Sequence, residues 1–113
     1  MRIFIDKDRA PSWNQFYSGK HWSGRSNIAN EKHMLVRSQI DPETEMMTPV
    51  TITLIATYKS KPVDADNIVD KVYIDGLIGW IIPDDDPDHV LAVTTISKIG
   101  DENSVEILIE EGE

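Results

Sequence analysis

The sequence predicts an α+β domain, a small mixed sheet with two helices in the order β-α-β-α-β-β. Three observations point to it. Residues 50 to 59 alternate strictly, with Val50, Ile52, Leu54, Ala56 and Tyr58 on one side and Thr51, Thr53 and Thr57 on the other, the period of a half-buried strand. Two stretches, ending near residues 40 and 78, carry apolar residues at helical spacing. The last quarter holds two strand-like runs, VLAVTTISKI and SVEILIEE, around a GDEN turn.

Taken in order, RIFID at residues 2 to 6 reads as a short strand. The following DKDRAPSWNQFYSGKHWSGRSN, rich in Pro, Gly, Ser and Asn, reads as a long surface loop. Ser26 or Asn27 can cap a helix reaching about Ile40, with Ala29, His33, Val36 and Ile40 on one face and Asp41-Pro42 as its stop. His33 on that face reads as a core histidine. The strand at Val50 to Lys59 comes next. A second helix is expected over residues 67 to 78, capped by Asp66 or Asn67 and burying Ile68, Val69, Val72, Tyr73 and Leu77. The final two strands are expected to pair as a hairpin. With no internal repeat and no linker, residues 1–113 form one domain with a single modest core.

Composition bounds the function. There is no cysteine, so no disulfide or thiolate-bound zinc, and MRIFID reaches an acid before any apolar run long enough for a signal peptide. A soluble, cytoplasmic protein that does not enter a membrane is expected. The net charge of −9 is uneven. Residues 1 to 40 carry seven Lys and Arg against three Asp and Glu, a net of +4; residues 41 to 113 carry four against seventeen, a net of −13. The basic front end interleaves Trp13, Phe16, Tyr17 and Trp22 with Lys20, His21 and Arg25, a mixture able to stack bases and neutralise phosphates.

The acids gather around the second predicted helix, as Asp64 and Asp66 before it and Asp84, Asp85 and Asp86 after it. If the chain is extended at 64 to 66, the two side chains share a face with Cα atoms about 6 to 7 Å apart. Two carboxylates about 4 Å apart repel by about 4 kcal/mol at an effective dielectric near 20. A cation between them relieves this, and Mg²⁺ fits an all-oxygen donor set that keeps several waters. A calcium loop starting at Asp84 is excluded, because His89 stands where a glycine is required and Thr95 where a glutamate is. Three histidines in no HxH or HExxH spacing exclude a zinc site of those types. Asp75 reads as structural, being about 13 Å along a helix from Asp66.

The segment DADNIVDKVYIDGLIGWIIPDDDPDHV, residues 64 to 90, resembles the RusA family of Holliday-junction resolvases. The shared elements are Asp64, Asp66 and Asn67, then Asp75-Gly76-Leu77, then Asp84-Asp85. Upstream, Pro11-Ser12-Trp13-Asn14 is similar to the family's entrance motif. The resemblance implies a RusA-like α+β homodimer that uses Mg²⁺, or Mn²⁺ in its place, to cut four-way DNA junctions in recombination and repair. It makes Asp64, Asp66 and Asp85 the catalytic, metal-holding acids and Lys71 the transition-state lysine. Asn14, Lys20, His21 and Arg25 would contact DNA. The chain departs from the pattern at the lysine, which comes five positions after Asp66 rather than four, with Asp70 in its place and Asp75 displaced by one as well. One extra helical residue turns a side chain by about 100°. The −13 balance of residues 41 to 113 supports a different reading, a catalytically inactive acidic protein of the same fold that serves as a protein-interaction module.

Overall fold

The computed structural model describes residues 1–17 and 22–112, and the backbone alone of Trp22. Its elements are β1 (Arg2–Asp6), α1 (Trp13–Tyr17), α2 (Trp22–Arg37), β2 (Val50–Tyr58), a 3₁₀ turn (Ala65–Asn67), α3 (Lys71–Ile74), β3 (Val90–Ile99) and β4 (Ser104–Glu111). The four strands form one mixed sheet in the order β1-β4-β2-β3. Strand β2 is central, and its alternation is what the sequence predicts: Val50, Ile52, Leu54, Ala56 and Tyr58 are buried. The core is this face of the sheet, joined by Ile3, Ile5, Val105, Ile107 and Ile109, against Val36, Val69, Tyr73 and Leu77.

Three expectations are corrected. The final strands do not form a hairpin. Strand β4 runs antiparallel to both β1 and β2, while β3 lies parallel to β2 on its other side. The most apolar strand thus gains two neighbours, and the GDEN turn passes around its end. Gly100 N–H donates to Tyr58 O, and Lys59 N–H donates to Asn103 Oδ1.

The loop expected between β1 and the first helix is in part helical. Ser12 Oγ accepts from Gln15 N–H at 3.0 Å and Gln15 Oε1 accepts from Ser12 N–H at 3.2 Å. This reciprocal pair is a capping box, and it starts α1. Helix α2 begins at Trp22, ahead of the expected Ser26 or Asn27 cap.

The second helix is broken. Residues 65 to 67 make a 3₁₀ turn, Ile68 is extended, and only Lys71 to Ile74 are α-helical. The chain leaves the helix because residues 68 and 69 pair with the upstream segment instead: Ser12 bridges Ile68, and Val69 N–H donates to Pro11 O at 2.9 Å. The predicted apolar stripe is still buried. Ile68, Val69, Val72, Tyr73 and Leu77 all face the core. Gly76 is needed for the close approach of α2, since a Cβ there would meet His33 Cα and Val36 Cβ at 3.2 Å.

Candidate functional site

The turn that carries Asp64 and Asp66 is pinned from three directions. Arg9 lies over the Tyr58 ring and donates through Nη1 to Ser60 O and through Nη2 to Lys61 O, fixing the approach to the turn. From the sheet, Thr95 Oγ1 donates to Ala65 O at 2.9 Å and Ser97 Oγ to Val63 O. From behind, the Pro11-Ser12 backbone holds Ile68 and Val69. The two motifs that carry the resemblance, fifty residues apart in sequence, are therefore neighbours in space.

On this support both carboxylates are exposed. Asp64 is extended, with φ −61° and ψ 144°, and makes no side-chain cap to the turn it opens; Asp66 sits inside the turn rather than on an extended strand. The capping role open to Asp66 in the sequence is thus not taken up. Neither side chain has a hydrogen-bond or ion-pair partner among the described residues. An open cleft beside Asp64 is lined by Pro62, Ser97 and Lys98.

Asp85 belongs to a different anchor. Its N–H donates to Asp84 Oδ1 at 2.7 Å, Asp86 Oδ1 holds His89 Nδ1 at 2.6 Å, and His89 O accepts from Val50 N–H where β3 begins. The two acidic segments thus join β3 near Val90 and Thr95, about 17 Å apart along the strand. No three Asp, Glu or His side chains come together as a metal-holding group among the described residues. Of the expected ligand set, Asp64 and Asp66 share one turn and Asp85 is held separately. The pair alone is suited to a hydrated Mg²⁺, which takes one or two carboxylates and keeps its waters.

Lys71 opens α3 with an exposed side chain and pairs with Asp75 at 3.5 Å, giving Asp75 the structural part expected of it. An exposed pair of this i,i+4 kind is worth only about 0.3–0.5 kcal/mol, so it does not lock the lysine. Asn14 is exposed on α1. Arg25 lies 5.0 Å from the Tyr17 ring, whose other neighbour is Trp13, stacked at 5.8 Å. Tyr17 therefore meets cation and ring within the protein rather than standing open to bases. Lys20 and His21 lie outside the described residues.

One constellation escapes the sequence reading. Asp8, Lys32 and Tyr73 are buried together, with Lys32 Nζ donating to Asp8 Oδ1 and Tyr73 OH to Asp8 Oδ2, both at 2.6 Å. Burial pushes the Tyr73 phenol far up, and the Asp8 charge pushes it further, so it stays a donor. Tyr58, which donates to Ala10 O, is raised to about 12 by burial, with Arg9 opposing. Asp8 follows β1 in a stretch that reads as loop, and no spacing rule links it to residues 32 and 73. Arg9, Thr95 and Ser97 were equally silent in sequence, because each acts on a backbone carbonyl far along the chain.

Compared with models of known protein families and with curated proteins, the sequence matches none. The resemblance to the resolvases rests on its own motif residues.

Proposed function

We propose that this protein is a Mg²⁺-dependent, structure-selective endodeoxyribonuclease that cuts four-way DNA junctions as a homodimer. The observation that carries the reading is the turn at residues 64 to 67. Two exposed, unpartnered carboxylates stand on a backbone fixed by Arg9, Thr95 and Ser97, next to the Pro-Ser-x-Asn segment that shares the resemblance. A protein that had no use for these charges could place them anywhere on its surface; here three sets of hydrogen bonds are spent on their support.

Asp64 and Asp66 hold the cation, and Asp85 joins them through its own loop when DNA and metal are bound. The bound ion supplies Lewis acidity to the attacking water and neutralises charge growing on the phosphoryl oxygens. Lys71, released from Asp75, faces the same phosphate as a second positive charge. Asn14 and Arg25, with Lys20 and His21, contact the sugar-phosphate backbone, which fixes register without reading sequence. Their share of the +4 front half lets a chain of net charge −9 approach a polyanion.

The test is cleavage of a synthetic four-way junction with Mg²⁺ by wild-type protein and by Asp66→Asn. The expected result is a loss of about a hundredfold or more in rate, the equivalent of several kcal/mol of transition-state stabilisation, with the fold intact. Equal cutting by both removes Asp66 from the site.

The separation of Asp85 from the pair favours a second reading, the acidic interaction module without catalysis. It predicts no cutting by wild type with either Mg²⁺ or Mn²⁺.

A further inference from the structure

The two edges of the sheet are treated differently. At one edge, the Gln39 side chain closes β1: its Oε1 accepts from Phe4 N–H and its Nε2 donates to Phe4 O. This blunts the strand against pairing. At the other edge, β3 has ten residues and pairs only with β2 among the described residues. Its residues 91 to 94 are all exposed. Leu91, Val93, Ile96 and Ile99 are 40% to 71% exposed and make up four of the nine exposed large hydrophobic residues described.

An open apolar edge is an aggregation hazard unless something covers it, and charge indicates what does. The chain carries 20 acids, yet none lies between residues 90 and 99, where Lys98 is the single charge. A strip free of the repelling charge is what a second copy requires. Helices do not cover the N-terminal half of β3, whereas the acidic turn sits against Thr95 and Ser97. The opening is therefore centred near Val93.

We propose that β3 pairs antiparallel with β3 of a second copy across a two-fold axis at Val93, joining two four-stranded sheets into one of eight strands. A two-fold perpendicular to the sheet keeps each face continuous and pairs residue i with residue 186 minus i. Val93 then meets itself, Leu91 meets Thr95 and Val90 meets Ile96. The same register sets Lys98 opposite Asp88 of the other copy, at both ends, so the one cation of the strand finds an exposed acid. Both acidic turns lie on one face of the joined sheet, and Thr95 of each copy is displaced four residues from its mate, about 13 Å along the strand, which leaves room for both. The inference gives the dimer of the proposed function its surface, but it stands without nuclease activity because mass and cross-linking decide it.

The experiment uses the full chain. Sedimentation equilibrium is expected to give twice 12.8 kDa for wild type at about 100 µM and a monomer for Val93→Arg. The Lys98→Glu variant should weaken the dimer about tenfold or more, as like charges then face each other, and adding Asp88→Lys should restore it. The chain has no cysteine, so Val93→Cys gives a clean reporter: directly opposed antiparallel residues are within disulfide reach. Oxidation should link Val93→Cys and leave Ser38→Cys, exposed on the far side of α2, unlinked. A monomeric wild type overturns the proposal. So does a dimer that survives Val93→Arg and gives no Val93→Cys cross-link. Thermal melts of each variant separate loss of pairing from loss of fold, and the charge-swap rescue answers for any variant that folds poorly.

Discussion

The buried Asp8 carboxylate joins α2 to α3 through one ammonium and one phenol, and no water-facing substitute exists for either contact. Removing it should be costly, because Lys32 would keep its charge in a site only 9% exposed at the side chain. Breaking a buried pair by deleting one partner costs about 3–5 kcal/mol. Urea denaturation of Asp8→Ala should show a loss of that size, and Tyr73→Phe a smaller one of about 1–3 kcal/mol, for one bond to a charged acceptor. His33 gives a pH effect. Its Nε2 is buried without a partner, and burial lowers its pKa below 6.5, with Asp75 opposing and Arg37 assisting. The unfolded chain therefore takes up the proton more readily than the native one. This contribution to stability is complete above pH 6.5 and declines as pH falls through 6.5 and on to the lower native value. Urea midpoints compared at pH 7.5 and 5.5 should fall for wild type more than for His33→Gln. Single residues of this kind were the least legible in sequence. The helical spacing placed His33 on the packed face, but the orphaned nitrogen depends on what α3 presents to it.

At the level of elements, alternation and spacing revealed what is buried but not always how the backbone gets there. Strand β2 was fully legible because its side chains obey one period and it is flanked on both sides. The helix expected at 67 to 78 has the correct buried residues in the wrong backbone. Ile68 and Val69, β-branched and suited to an extended chain, take partners from residues 11 and 12, which a local pattern cannot anticipate. The capping box Ser12-x-x-Gln15 was available as a signal for α1 and is visible in the sequence once sought. The hairpin expectation failed because a short turn between strands usually joins neighbours, and here β2 lies between them. The 3₁₀ turn itself depends on Thr95 and Ser97. In Thr95→Val with Ser97→Ala, two carbonyls lose their donors. The expected cost to global stability is about 1–3 kcal/mol, from two hydrogen bonds of about 0.5–1.5 kcal/mol each. Amide exchange at residues 64 to 67 should rise more than that global loss explains, and junction cutting should fall. Unchanged exchange in the turn would mean that the sheet does not support it.

For the molecule as a whole, charge segregation is the organising feature, and it was plain in the sequence. The basic half supplies β1, α1 and α2, and the acidic half supplies both acid-bearing loops. What sequence could not supply is the distance between those loops, which is set by where each meets β3. Asp64 and Asp66 share a turn, and Asp85 is anchored five strand residues away. The account depends on that turn being a cation site. Titration of Mn²⁺ into the protein by calorimetry, repeated with Asp64→Asn and Asp66→Asn, tests this most directly. The account predicts saturable binding by wild type, a matching rise in melting temperature because the ion binds the native state, and loss of both in either variant. Absence of saturable heat in wild type, or the same binding in all three proteins, would contradict it.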